Sequence, residues 1–148
     1  MKTLEQSDLR PLIIILASLR ALKWSYWNSH WMSKGQSYYG DHLLFERLYT
    51  EIDPQIDTMA EKITAYNPSI LDSDLMIKAF DKMVNESKSQ SNLVQRGLDM
   101  EAKLQHAIEY AYNHLKQGNN LSLGMDDFLM ATANDRETVI YLLQQRVR

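Results

Sequence analysis

The stretch from residue 41 to about residue 65 places apolar side chains at the spacing of an α-helix. Successive apolar residues in it are three, one, three, four, three, one and three positions apart, which aligns them on one helical face. They are Phe45, Leu48, Tyr49, Ile52, Ile56, Met59, Ala60 and Ile63. The chain has only five glycines and three prolines among 148 residues, 45% of which are hydrophobic. The sequence therefore predicts a helical globule with a long amphipathic helix in its second quarter.

Similar patterns predict the other helices. The first helix begins near Ser7 or Asp8 and carries an apolar stripe that ends at His30. A short helix is predicted from Asp72 or Ser73 through Met83. Two long helices follow, one from about Ser89 to Gln117 and the last from about Leu123 to Arg146. Asp41 is a suitable cap for the second helix. Pro54 lacks the N–H that would bond to Thr50, so this helix is expected to bend there without breaking.

Four potential metal ligands share one face of the second helix. His42, Glu46, Asp57 and Glu61 fall within about 60° of each other around its axis, and His30 precedes them at the end of the first helix. His42 and Asp57 are about 22 Å apart along the helix, whereas metal bonds to nitrogen or oxygen are about 2 Å long. One ion therefore cannot bind both residues of one chain.

His42 of one chain and Asp57 of another can reach the same ion if the same helix of a second chain packs antiparallel, with a two-fold axis near residues 50–52. The His42 end of one helix then faces the Asp57 end of the other, and a dimer contains two equivalent shared sites. Imidazole and carboxylate ligands suit iron, zinc and related divalent ions. The chain has no cysteine, which excludes a thiolate site.

This pattern resembles that of the Dps family of mini-ferritins. The resemblance lies in His30-Trp31-x-x-Lys34-Gly35, then His42, then Asp57-x-x-Ala60-Glu61-Lys62. It implies that His30 and His42 come from one subunit and Asp57 and Glu61 from its two-fold mate, with Glu46 at a position that is usually acidic. Met32, where the family usually has Asn, and Pro54 depart from the family pattern.

The resemblance also implies a fold and a function. It implies that residues 1–148 form a single all-α ferritin-like domain, a four-helix bundle with a long crossover that carries a short extra helix. Twelve subunits would form a hollow shell that oxidises Fe(II), preferably with hydrogen peroxide and more slowly with oxygen, stores the iron and protects against oxidative damage. His30, His42, Asp57 and Glu61 would be catalytic and, with Glu46, would bind up to two iron ions per site. Zinc or other divalent ions would be able to take the place of iron at such a site.

Each candidate ligand also has a simpler interpretation. A lone His30 at the end of an apolar stripe is more often a core residue, and an acidic pair such as Asp57 and Glu61 is more often a solvated face. The joint pattern favours the ligand interpretation. His106 and His114 lack a Glu three positions upstream, so the site inside one bundle that other ferritin-like proteins build is not expected.

The alternative is a DNA-binding shell with little or no ferroxidase activity. The net charge of −3 per chain grows twelvefold in such a shell, and neither end of the chain is rich in lysine, so DNA binding is not expected. Asp126 and Asp127 are interpreted as helix caps, and the resemblance places acidic residues of this region at iron-entry pores. The apolar run from Leu12 to Leu16 is too short to cross a membrane, and a cytoplasmic protein is expected.

Overall fold

The structure, a computed structural model, describes residues 4–148. Within that range the chain forms six α-helices, one 3₁₀ turn and no strand. In order they are α1 (Gln6–Met32), α2 (Tyr38–Glu51), α3 (Asp53–Tyr66), the 3₁₀ turn (Pro68–Asp72), α4 (Asp74–Ser87), α5 (Leu93–Gln117) and α6 (Leu123–Val147). None of these helices is long and apolar enough to span a membrane.

The chain forms a four-helix bundle of α1, α5, α6 and a fourth helix that consists of α2 and α3 in succession. α1 packs against α2, α3 and α5, and α5 packs against α6. The connection between α3 and α5 spans residues 67–92 and contains the 3₁₀ turn and α4, which lies along α1. The predicted all-α bundle with a long crossover and a short extra helix is confirmed.

Buried side chains from all four helices of the bundle contribute to the core. Leu12, Leu19, Tyr26, Phe45, Met59, Leu104, Leu129 and Leu143 are among the fully buried ones. Tyr26 stacks on Phe45 with ring centroids 6.1 Å apart.

A Cβ added to Gly97 would lie 3.0 Å from Cε1 of Tyr26 and 3.2 Å from Cδ1 of Leu143. Glycine at this position therefore lets α5 approach α1 and α6 closely.

The predicted second helix is divided in two. α2 ends at Glu51, and α3 begins at Asp53. Ile52 between them keeps helical dihedral angles, φ −80° and ψ −19°, and its carbonyl accepts the N–H of Ile56 at 3.1 Å. The interruption falls just before Pro54 because proline cannot donate to the carbonyl of Thr50. The prediction of one bent but unbroken helix is therefore wrong, since a single residue separates two helices.

Two predicted caps are wrong. α2 begins at Tyr38, three residues before Asp41, and Asp41 in its first turn instead accepts two hydrogen bonds from Arg146, Nε at 2.6 Å and Nη2 at 3.0 Å. The cap of α6 is Ser122, whose Oγ accepts the N–H of Met125 at 3.0 Å, and neither Asp126 nor Asp127 caps it. α5 begins at Leu93, four residues later than expected, because Asn92 caps it.

Candidate metal centre

His30 and His42 lie face to face where α1 ends and α2 begins. Gly35 allows the tight reversal between these helices because its φ is +84°, a conformation that other residues rarely adopt. The two imidazole rings stack with centroids 3.6 Å apart and planes 16° apart. His30 is buried and His42 is partly buried. The structure thus brings together the two histidines that the sequence assigns to one subunit.

Reciprocal hydrogen bonds hold the two rings in place. Nδ1 of His30 lies 2.7 Å from the carbonyl oxygen of His42, and Nδ1 of His42 lies 2.8 Å from the carbonyl oxygen of His30. A carbonyl oxygen can only accept, so each Nδ1 carries the proton. In the neutral rings both Nε2 atoms then keep a lone pair. Metal-binding histidines are commonly oriented in this way.

The candidate carboxylates lie on the exposed surface. Glu46 is one turn beyond His42 on α2, while Asp57 and Glu61 lie on α3. Within residues 4–148 none of the three makes an ion pair or a side-chain hydrogen bond. The neighbouring acids differ: Asp53 pairs with Lys23, and Glu51 pairs with Arg47. The three candidate carboxylates are therefore available to a cation or to another chain.

One copy of the chain does not assemble a metal site from residues 4–148. Across the part of the chain that the structure describes, no group of three or more His, Asp or Glu side chains is arranged to hold a metal ion. The structure brings His30 and His42 together but does not bring Asp57 and Glu61 to them. The other two histidines are separate: His106 is exposed, and Nε2 of His114 lies 2.9 Å from Oδ1 of Asp8.

Aromatic side chains surround the histidine pair. Tyr49 meets the ring of His30 edge-on at 5.5 Å and stacks on Trp27 at 5.0 Å, and Tyr38 stacks on His42 at 5.0 Å. Several large apolar side chains on this side of the molecule are exposed, with Trp31 at 62% and Tyr39 at 70%. An exposed apolar surface of this kind is typical of a protein interface.

A buried ion pair that the sequence patterns did not predict lies inside the bundle. Arg136 of α6 donates Nε to Oε1 of Glu101 on α5 at 2.7 Å and Nη2 to Oε2 at 3.0 Å, while its Nη1 reaches Oε1 of Gln55 at 3.2 Å. Glu101 and Arg136 are 0% and 1% exposed. Both continue apolar stripes, which is the sequence signal that could have revealed them. The pair links α5 to α6 inside the protein.

Burial changes the ionisation of this pair and of Tyr26 beside it. Burial raises the pKa of Glu101, and the guanidinium of Arg136 lowers it only in part. Burial lowers the pKa of Arg136, but the attraction of Glu101 outweighs this effect and raises it. Burial, with Glu101 adding to the effect, raises the pKa of the Tyr26 phenol well above its ordinary value. Tyr26 therefore stays neutral next to the pair.

No known family model matches the sequence, and no curated protein matches it. Solved structures match the fold over nearly the whole chain. A Dps protein from Vibrio cholerae O1, described as a member of the ferritin-like diiron-carboxylate superfamily, has a TM-score of 0.79 at 19% identity, covering 97% of this chain and 90% of that one.

Two other Dps structures agree. The protein from Bacillus brevis has a TM-score of 0.76 at 19% identity and covers 98% of this chain and 100% of that one. Dps from Thermosynechococcus elongatus has a TM-score of 0.76 at 14% identity, with 97% and 91% covered. The chain therefore has the ferritin-like fold. Within that class, its fold is that of the Dps proteins.

Proposed function

We propose that the chain is an iron-oxidising and iron-storing mini-ferritin whose sites are shared between two-fold related subunits. The observation that carries the proposal is the stacked pair His30 and His42, in which two hydrogen bonds to carbonyl oxygens leave both Nε2 atoms available. In the proposed assembly, Asp57 and Glu61 of a second copy face this pair, with Glu46 beside it. The chain acts as one domain in a cytoplasmic shell of twelve.

The exposed aromatic residues support this pairing of subunits. Trp31, Tyr38 and Tyr39 lie beside the histidines and are 62%, 41% and 70% exposed. Removing such side chains from water contributes about 25 cal/mol per Å² of apolar surface. A contact that covers them would also exclude water from the histidine pair, and it would bring the second copy to the side of the molecule where its carboxylates are needed.

The donor set suits Fe(II) as a substrate. Two neutral imidazoles and two or three carboxylates provide nitrogen and oxygen donors, and the carboxylates offset the positive charge of the ions. Two Fe(II) ions supply the two electrons that reduce one hydrogen peroxide to water, and oxygen is the slower oxidant. Consuming Fe(II) and peroxide together prevents the formation of hydroxyl radicals. The oxidised iron is then stored inside the shell.

Stopped-flow oxidation of Fe(II) by peroxide tests the proposal. The variant His42→Ala/Asp57→Ala should lose at least about tenfold in rate, because changes at and around metal ligands commonly reduce activity by 10- to 100-fold. The control His106→Ala/Asp72→Ala removes an exposed histidine and an exposed acid elsewhere and should keep the wild-type rate. Equal rates in wild type and the first variant would remove the site assignment.

A further inference from the structure

A large groove lies on the side of the bundle away from α2 and α3. It runs between α1, the crossover helix α4 and α5, with a volume of about 860 Å³. Its walls are mostly apolar and include Ile14, Ala79, Met83, Met100 and Ala107. Pockets of 300 to 1,000 Å³ with apolar walls and a few polar groups are typical of small-molecule sites. The groove contains none of the proposed iron ligands.

A buried arginine lies at one end of this groove. Arg96 is only 9% exposed and lines the groove together with Ser87, Ser89 and Gln90. Its Nε donates to the carbonyl oxygen of Gln90 at 2.9 Å. Among residues 4–148 no carboxylate lies within ion-pair distance of its guanidinium, and no hydrogen bond engages its two Nη atoms. Because its Nε bonds only a neutral carbonyl and its side chain lines the groove, the guanidinium of Arg96 is available to an anion there.

The charges around the groove are mainly positive. Its lining includes five basic residues, Arg10, Lys78, Lys82, Arg96 and Lys103, but only two acidic ones, Glu86 and Asp99. Glu86 is held between Lys103 at 3.5 Å and Lys82 at 3.9 Å. The groove is therefore locally basic on a chain whose net charge is −3. Its charge is complementary to an anion.

We propose that the groove binds a fatty carboxylate. The planar guanidinium of Arg96 presents its Nη atoms as a fork that matches the two oxygens of a carboxylate. The alkyl chain then lies along the apolar walls between α1, α4 and α5. From Arg96 to Ala107 the α5 wall is about 16 Å long, at about 1.5 Å per residue, which accommodates a chain of medium length. This proposal is independent of the iron site.

Calorimetric titration of the assembled protein with dodecanoate below its micelle concentration tests this proposal. Saturable binding is expected, and each methylene added in a series from octanoate to dodecanoate should tighten it about fourfold, as about 0.8 kcal/mol per buried methylene predicts. Dodecyltrimethylammonium, with the same chain and a cationic head, should not bind. Arg96→Gln should weaken dodecanoate binding about tenfold or more, the value of a hydrogen bond to a charged group.

A second variant keeps the test decisive if Arg96→Gln fails to fold. Ala102 is exposed and lines the groove, so Ala102→Glu should fold and weaken dodecanoate binding by repulsion. Its control, Ala131→Glu on α6, makes the same change at an exposed position outside the groove and should bind like wild type. The proposal is overturned if dodecanoate does not bind. That result is expected if another copy of the chain fills the groove in the assembled protein. Equal binding of the cation, or of Ala102→Glu and wild type, also overturns it.

Discussion

Replacing Arg136 with methionine should destabilise the protein more than any surface charge change. Methionine also has an unbranched side chain, but it is apolar, so the substitution removes three hydrogen bonds to Glu101, which is 0% exposed. Leaving one partner of a buried ion pair without the other typically costs about 3–5 kcal/mol. Typical total stabilities are about 5–15 kcal/mol, so the loss should be a large part of the free energy of unfolding.

The same substitution at the surface provides a matched control. Arg146 also binds a carboxylate through two hydrogen bonds, but its side chain is 40% exposed. Exposed ion pairs contribute about 0–1 kcal/mol. Arg146→Met should therefore cost no more than about 1 kcal/mol, although it removes a pair of similar geometry. The difference between the two variants measures the effect of burial.

A double variant distinguishes the cost of leaving Glu101 unpaired from the cost of altered packing. Arg136→Met/Glu101→Met replaces both partners with apolar side chains, and such replacements are often neutral or stabilising. The double variant should recover most of the loss. Urea unfolding followed by circular dichroism, at one protein concentration because assembly contributes to stability, gives all four values. A cost of Arg136→Met no greater than that of Arg146→Met would contradict the effect of burial, and a double variant no more stable than Arg136→Met would contradict the role of the unpaired charge.

Further predictions concern backbone packing and capping, measured by the same unfolding assay. Gly97→Ala should cost about 1–3 kcal/mol because its Cβ would press on Tyr26 and Leu143. Gly124→Ala, whose Cβ has Nζ of Lys62 at 3.6 Å as its nearest neighbour, should not destabilise and should gain up to about 1 kcal/mol. A destabilisation of both glycine variants by the same amount would contradict the packing argument. Ser122→Ala should cost about 1 kcal/mol because α6 loses its cap; an unchanged stability would show that the cap contributes nothing.

The helices could be predicted from the sequence because apolar spacing determines which face of each is buried. Phe45, Leu48, Met59 and Ile63 are all buried as their stripe requires. The ends were less accurate. Asp41 has the chemistry of a cap, but its pairing with Arg146, over a hundred residues away, could not be read from local sequence.

The ion pair of Glu101 and Arg136 was missed for a related reason. Each residue lies at helical spacing from apolar residues: Glu101 precedes Leu104 and Ile108, and Arg136 lies between Leu129 and Val139. A charged residue at such a position indicates a buried partner, but the spacing does not say which residue on another helix it is. The stacking of His30 on His42 likewise depends on how the turn at residues 33–37 folds, which the ligand pattern alone does not specify.

Complementation tests directly whether the metal site is shared between subunits. His42→Ala and Asp57→Ala chains should each form shells with little Fe(II) oxidation. When the two are unfolded together in equal amounts and reassembled, half of the pairs are mixed, and one of the two sites in each mixed pair has all its ligands. About a quarter of the wild-type rate should return. Mixed shells as inactive as the separate variants would contradict it, because a site within one chain cannot be repaired by another.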